Sequence, residues 1–153
     1  MRARRRHWQS RRRGKTDKMQ VIVSGPAGID RRDLVDEALK EAGYPVTKII
    51  SGCGEGVEQR AKEWAKEEVG VEFKERPAKW KEKGPSAAVQ RNWNITEIAE
   101  ALVAIWDGKD RDTKNLIEIA YQKGLRLFVV VAKGPNDVRF RRAPDSEERD
   151  PIR

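Results

Sequence analysis

Histidine and cysteine are almost missing from this chain of 153 residues: His7 and Cys53 are the sole examples. One cysteine permits no internal disulfide and fits a reducing, cytoplasmic environment. With its one histidine so close to the start, the rest of the chain cannot build a histidine-dependent dyad or triad. A cysteine–histidine zinc site is excluded for the same reason. No metal and no cofactor is expected, and acid–base or covalent chemistry would rest on carboxylates, lysine, tyrosine or Cys53. No apolar run approaches the roughly 18 residues of a membrane helix. No apolar segment follows the arginine-rich start, as a secretory signal requires. No membrane partner is therefore expected.

Excess charge is missing from most of the chain as well. The net charge is +8, and residues 1–18, MRARRRHWQSRRRGKTDK, hold seven arginines and two lysines against Asp17 alone. The other 135 residues balance 24 basic against 24 acidic side chains. They have no overall electrostatic preference for a polyanion, so nucleic-acid contact of that kind falls to the Arg2–Lys18 arm. The arm reads as a disordered tail, which can also be solvated and idle. Met19, the one internal methionine, directly precedes the first strand, a pattern that an upstream start would produce.

At 38% charged and 37% hydrophobic the chain is polar. Its apolar residues are nevertheless clustered, as a single folded domain requires. Strand-like and helix-like segments alternate. MQVIVS (19–24) reads as a strand, and DRRDLVDEALKEAG (30–43) as a helix capped by Asp30 and ended by Gly43. VTKIIS (46–51) is a second strand. The helix after it places Val57, Ala61, Trp64, Ala65 and Glu68 on one stripe, stopped at Gly70. VEFKE (71–75) alternates in polarity, as an edge strand does. RPAKWKEKGP is a loop, and Ser86 to about Ala99 is helical. ALVAIW (101–106) is continuously apolar, as a strand buried on both faces should be. The next helix turns Leu116, Ile117, Ala120 and Tyr121 inward, and Leu125–Val131 is the last strand. The order implies an α/β fold with a mainly parallel sheet of about five strands covered on both faces. The expected organisation is a basic arm (1–18), one domain (19–133) and a charged tail (134–153).

In such a sheet ligands bind at the carboxyl ends of the strands. The loops at that edge are SGPAG, SGCGEG, RPAKW and WDGKDRDTKN, and three of them contain glycine. A glycine turn entering a helix offers backbone N–H groups to a phosphate or carboxylate. Gly25, Gly52, Gly54 and Gly56 can also serve backbone geometry alone. GCGEG is neither the G-x-G-x-x-G fingerprint nor a P-loop. Glu58 is a candidate general base or ribose ligand, or a carboxylate favoured by the helix N-terminus. Arg91 could fork onto an anion and Asn92 read a base or ribose edge; alternatively Arg91 is solvated beside a helix-packing Trp93. Thr113 and Lys114 could meet an anion, or Asp112 or Thr113 simply caps that helix. Trp80 and Trp106 could stack on a base or pack at the rim.

Taken together, VIVSG, ISGCGEGVEQRAKEWA, RPAKWKEKGPSAAVQRN and ALVAIWDGKDRDTKNLIEIAYQKGL resemble the SLOG superfamily, in the branch called YspA/CpYpsA-related. The resemblance runs from about Val21 to Val131. It implies a Rossmann-like three-layer αβα sandwich with a pocket for a nucleotide or nucleotide-derived ligand. Relatives in the wider superfamily include nucleotide phosphoribohydrolases that activate cytokinins and a DNA-processing protein that handles single strands. The site it implies is Ser24, Gly25, Gly52, Gly54, Gly56, Glu58, Trp80, Arg91, Asn92, Asp107, Gly108, Thr113 and Lys114. Three positions depart: Glu58 where the family usually has Asp, Ala87-Ala88 where it often has Ala-Gly, and Asp112-Thr113 where Gly-Thr is common. Asp112 sets a negative charge where a phosphate would be expected. The leading expectation is a binding module, a sensor or effector. The alternatives are a hydrolase of N-glycosidic or phosphoester bonds working through Glu58 and Arg91, and a nucleic-acid-binding protein using the arm. Self-association is left open.

Overall fold

Strands rich in valine and isoleucine alternate with helices that carry a stripe of small and branched apolar residues. The computed structural model describes residues 18–142, apart from Cys53 and the side chains of Trp80, Lys83 and Arg142. Strands β1 (Met19–Ser24), β2 (Val46–Ser51), β3 (Glu72–Glu75), β4 (Ala101–Trp106), β5 (Arg126–Gly134) and β6 (Asp137–Arg142) form one sheet. The helices are α1 (Arg32–Ala42), α2 (Val57–Glu67), the single turn α3 (Trp80–Lys83), α4 (Ala87–Ile98) and α5 (Arg111–Lys123). The strand order is β3-β2-β1-β4-β5-β6. All neighbours are parallel except β5 and β6, which are antiparallel. The protein is therefore α/β with a six-stranded, mostly parallel sheet. Among the described residues no helix is long and apolar enough to cross a membrane.

Successive side chains of a strand point to opposite faces, and both faces of the central strands are buried. Val21, Val23, Val103 and Ile105 join Leu34, Val35 and Leu39 of α1 and Val57, Ala61 and Ala65 of α2 in one apolar cluster. Ile22, Ile50, Leu102 and Ala104 join Ile95 of α4 and Leu116 and Ala120 of α5 in a second. Burying each such valine, leucine or isoleucine side chain contributes roughly 1.5–3 kcal/mol relative to leaving it exposed.

Several local expectations are corrected. Residues 134–142 were assigned to a tail, but β5 runs to Gly134 and Asp137–Arg142 pairs with it as β6. Val138 and Phe140 reach the sheet surface, and Phe140 lies 6.0 Å from Phe128 between ring centroids. Asp30 does not cap α1; it pairs with Arg60 of α2 at 3.2 Å, and Arg31 stands at the cap position without a side-chain capping bond. The cap of α5 is Asp110, not Asp112 or Thr113. α2 ends at Glu67, so Glu68 lies outside its inward stripe, and Glu58 is buried on that helix instead. The arm expected over 1–18 lies, apart from Lys18, outside the described residues, as does 143–153.

The parallel strands β1 to β5 all send their carboxyl ends to one edge. The loops there span 25–31, 52–56, 76–79 and 107–110, and β5 leads into the turn to β6. The chain's direction of travel across the sheet reverses between β1 and β4, the place where such sheets open a ligand crevice. Two of the loops lock together. Gly56 enters α2 with φ 71° and ψ −124°, a region that is essentially glycine-only. A methyl group on it would lie 2.5 Å from the Ala27 carbonyl oxygen and 2.7 Å from that of Ile29. Gly56→Ala is expected to lower the unfolding free energy by about 2 kcal/mol or more, since strain and overlap act together. Gly28→Ala, where a methyl would meet nothing within 4 Å, should change it by less than about 0.5 kcal/mol. Urea unfolding of the two variants measures the contrast.

Candidate functional site

The glycine turn after β2 wraps a carboxylate of the protein itself. Glu58 lies in the first turn of α2, is 8% exposed, and faces back into the turn. Its Oε1 accepts a hydrogen bond from the Gly54 backbone N–H at 2.7 Å, and its Oε2 accepts one from the Ser24 hydroxyl at 3.3 Å. Gly52 is the spacer between this carboxylate and Arg91. A methyl group at Gly52 would overlap Arg91 Nη1 and stand 3.0 Å from Glu58 Oε1. Gly25 packs in the same way against the Ile105 carbonyl and Val57, closing the end of β1. Ser24, Gly25, Gly52, Gly54, Gly56, Glu58 and Arg91 thus meet at one place, where the ends of β1 and β2 face the start of α2.

Arg91 comes from α4, and its side chain is only 10% exposed. The solvated alternative is thereby corrected, and its neighbour Trp93, taken there as the packing residue, is 45% exposed. Nε donates to Asn92 Oδ1 at 2.9 Å, Nη1 to the Arg76 carbonyl at 3.2 Å, and Nη2 to Asp112 Oδ2 at 3.1 Å. A guanidinium has five N–H donors, so two remain for other partners. Asn92 is fully buried and donates to Asp112 Oδ1 at 2.9 Å and to Asn115 Oδ1 at 3.0 Å. Its amide is spent on the start of α5, which leaves it poorly placed to read a base edge. Asp112 is correspondingly no bare charge in the site, because Arg91 and Asn92 both hold its carboxylate.

Burial pushes the Glu58 carboxyl above the ordinary range for a glutamate. The Gly54 N–H, the Arg91 charge and the Ser24 hydroxyl oppose the shift, and the Asp112 charge adds to it. The net result is a carboxyl that takes up a proton more readily than a surface glutamate while it stays hydrogen-bonded at both oxygens.

The loop after β4 serves its own geometry. Asp107 Oδ1 accepts from the N–H groups of Lys109 and Asp110, both at 2.8 Å. Burial opposes ionisation of Asp107, but these N–H groups outweigh it and hold the carboxyl below its usual range. Asp110 Oδ2 accepts from the Thr113 N–H at 2.9 Å and from its hydroxyl at 2.6 Å. Trp106 Nε1 donates to the Asp110 carbonyl at 3.0 Å, which makes it a rim anchor. Gly108 is exposed beside the Lys133 side chain, Lys114 is exposed, and Thr113 is buried with its hydroxyl committed. The Trp80 side chain and Cys53 lie outside what is described. Among the described residues no group of three or more histidine, cysteine, aspartate or glutamate side chains is placed to hold a metal ion.

Sequence reasoning missed the role of Asp112 as a partner, together with Asn115 and the Arg76 carbonyl. The signal for Asp112 was its position at a helix start facing a helix that carries an Arg-Asn pair, although which face each helix presents is set only by packing. No family model matches the chain, no curated protein matches it, and no solved structure matches it.

The raised Glu58 carboxyl has a consequence for stability. Its stabilising contribution is complete below the ordinary glutamate value near ~4.3 and is lost as pH rises through the higher folded value. Glu58→Gln keeps an acceptor for Gly54 and removes the titration. The wild type is expected to lose stability relative to Glu58→Gln as pH rises out of the ordinary carboxylate range, and denaturant midpoints of both proteins across that range will show it. A difference that stays flat with pH would contradict the burial argument.

Proposed function

We propose that the chain is a Rossmann-like αβα domain of the SLOG kind that binds a nucleotide or nucleotide-derived ligand as a sensor or effector module. The observation that carries this reading is the meeting of Ser24, Gly52, Gly54, Glu58 and Arg91 at the carboxyl end of a mostly parallel sheet. The parallel strand order 3-2-1-4-5 supports it, because dinucleotide-binding doubly wound sheets share that order; β6 is an antiparallel addition. So do the two apolar clusters, one packing α1 and α2 and the other α4 and α5 against the sheet. In this reading Glu58 accepts ribose hydroxyls and Arg91 supplies positive charge with its two remaining donors. Gly25 and Gly56 hold the loops in register. Asp107, Gly108, Thr113 and Lys114 form a wall of the pocket.

A second reading draws on one specific feature: a buried carboxyl of raised proton affinity beside an arginine suits a general acid for N-glycosidic or phosphoester hydrolysis. The binding reading predicts that a panel of nucleotides raises the melting temperature, with RT ln(1 + [L]/Kd) as the scale of the effect. Arg91→Ala should weaken that binding about 10-fold or more, because a hydrogen bond to a charged group is worth roughly 1.5–3 kcal/mol. Incubation with nucleoside monophosphates followed by chromatography separates the two readings. Intact nucleotide is expected for a binding module; release of free base or phosphate that disappears in Glu58→Gln would establish the hydrolase. No stabilisation by any nucleotide at high concentration would overturn the proposed function.

A further inference from the structure

Arg91 also borders a cleft of about 410 Å³ between the carboxyl end of β3 and the first turns of α4, whose lining does not include Glu58. Small-molecule sites commonly span ~300–1,000 Å³. Arg76 and Lys79 stand on one wall, Gln90, Arg91 and Asn94 on the other, and Ile95 contributes to the apolar surface between them. Arg76 and Lys79 are exposed, and neither makes an ion pair among the described residues. The one carboxylate of the lining, Glu75, is already bound by Lys62 at 3.0 Å. The cleft therefore carries an uncompensated positive charge next to an apolar wall and two side-chain amides.

The opposite side of Arg91 does not share this excess. At the start of α5 the carboxylates of Asp107, Asp110 and Asp112 are matched by the cations Lys109, Arg111 and Lys114, so the stretch has no net charge. Several backbone N–H groups near this helix start are taken: those of Lys109 and Asp110 by Asp107, and that of Thr113 by Asp110. The Lys114 N–H donates to the Asp110 carbonyl at 3.1 Å. At the glycine turn the Gly54 N–H is taken by Glu58. An incoming anion would find no net positive charge at the start of α5 and one spent donor at the turn.

We infer that the cleft lined by Arg76, Lys79, Gln90 and Asn94 is the anion-binding half of the site. It takes the phosphate of a ligand whose hydroxyl-bearing part lies toward Glu58, in preference to the first turn of α5, which has no excess positive charge. Arg91 is the divide between the halves: its guanidinium lines the cleft while its Nη2 is bound to Asp112. The identity of the anion as part of a nucleotide rests on the proposed function; the location of the anion does not.

The test uses the full chain, titrated separately with pyrophosphate and with the 5′-monophosphates of adenosine, guanosine, cytidine and uridine, and followed by backbone amide NMR. Shifts are expected at residues 76, 78, 79, 90 and 94, with residues 111–114 unmoved. Arg76→Ala combined with Lys79→Ala, both exposed and so compatible with folding, should weaken pyrophosphate and monophosphate about 10-fold or more, as loss of charge-assisted phosphate contacts does. Arg111→Ala, at an exposed position in the first turn of α5, should leave the affinity within about 2-fold, since the phosphate lies elsewhere. Shifts centred on 111–114, an unchanged affinity in the Arg76/Lys79 variant, or a large loss in Arg111→Ala would each overturn the assignment. Pyrophosphate binding that needs Arg76 and Lys79, without binding of any monophosphate, would uphold the anion cleft and remove the nucleotide. Failure of every anion to bind would overturn the inference itself.

Discussion

Arg91 ties the functional edge of the sheet together. Its guanidinium touches the loops after β2, β3 and β4 through Gly52, the Arg76 carbonyl and Asp112. A side chain 10% exposed with three hydrogen bonds gains far more from charge-assisted bonding than a surface arginine in water would. The neighbouring carboxylates are arranged around that one charge. Glu58 lies across Gly52 without a direct bond to it, and Asp112 is bound to it outright. A glycine at position 52 is what permits the arginine and the buried glutamate to approach from two different helices. Larger residues there would push the two charges apart and open the loop.

The rest of the edge follows from how the helix starts are satisfied. α5 uses Asp110 as its cap and so consumes the Thr113 N–H. α2 has no side-chain cap. The carboxylate of its own first turn, Glu58, reaches back to the Gly54 N–H ahead of the helix. The Gly54 N–H ahead of α2 and the Thr113 N–H of α5 are thus held by the protein's own carboxylates, while Arg76 and Lys79 on the β3 side make no ion pair among the described residues.

Much of the framework was legible in the sequence because it depends on local patterning. The continuous apolar run Ala101–Trp106 could only be a strand covered on both faces, and it is the one strand paired with both β1 and β5. Gly43 and Gly124 end α1 and α5 where the periodicity stops. The loops that carry Ser24, Gly52, Glu58 and Arg91 could be assigned to one edge from strand order alone. What could not be read were the contacts between helices. Asp30 looked like a cap until Arg60 of a different helix claimed it. Asp112 looked like an intruder until Arg91 and Asn92, some twenty residues earlier, were found beside it. β6 was missed for another reason: DVRFRR is dominated by arginine, which masked the alternation of Val138 and Phe140 behind the Gly134-Pro135-Asn136 turn.

That alternation has a bearing on how the molecule behaves among its own copies. An open sheet has two outermost strands whose outward N–H and C=O groups are unpaired, and these are templates for unwanted pairing between molecules. Here both are studded with charge. β3 displays Glu72, Lys74 and Glu75, all exposed and only four residues long in total. β6 displays Arg139 and Arg141, also exposed. Two β6 strands brought side by side would set arginine against arginine, and like charges directly opposite destabilise a strand pair. The strand that extends the sheet is also the one that keeps it from growing into the next molecule.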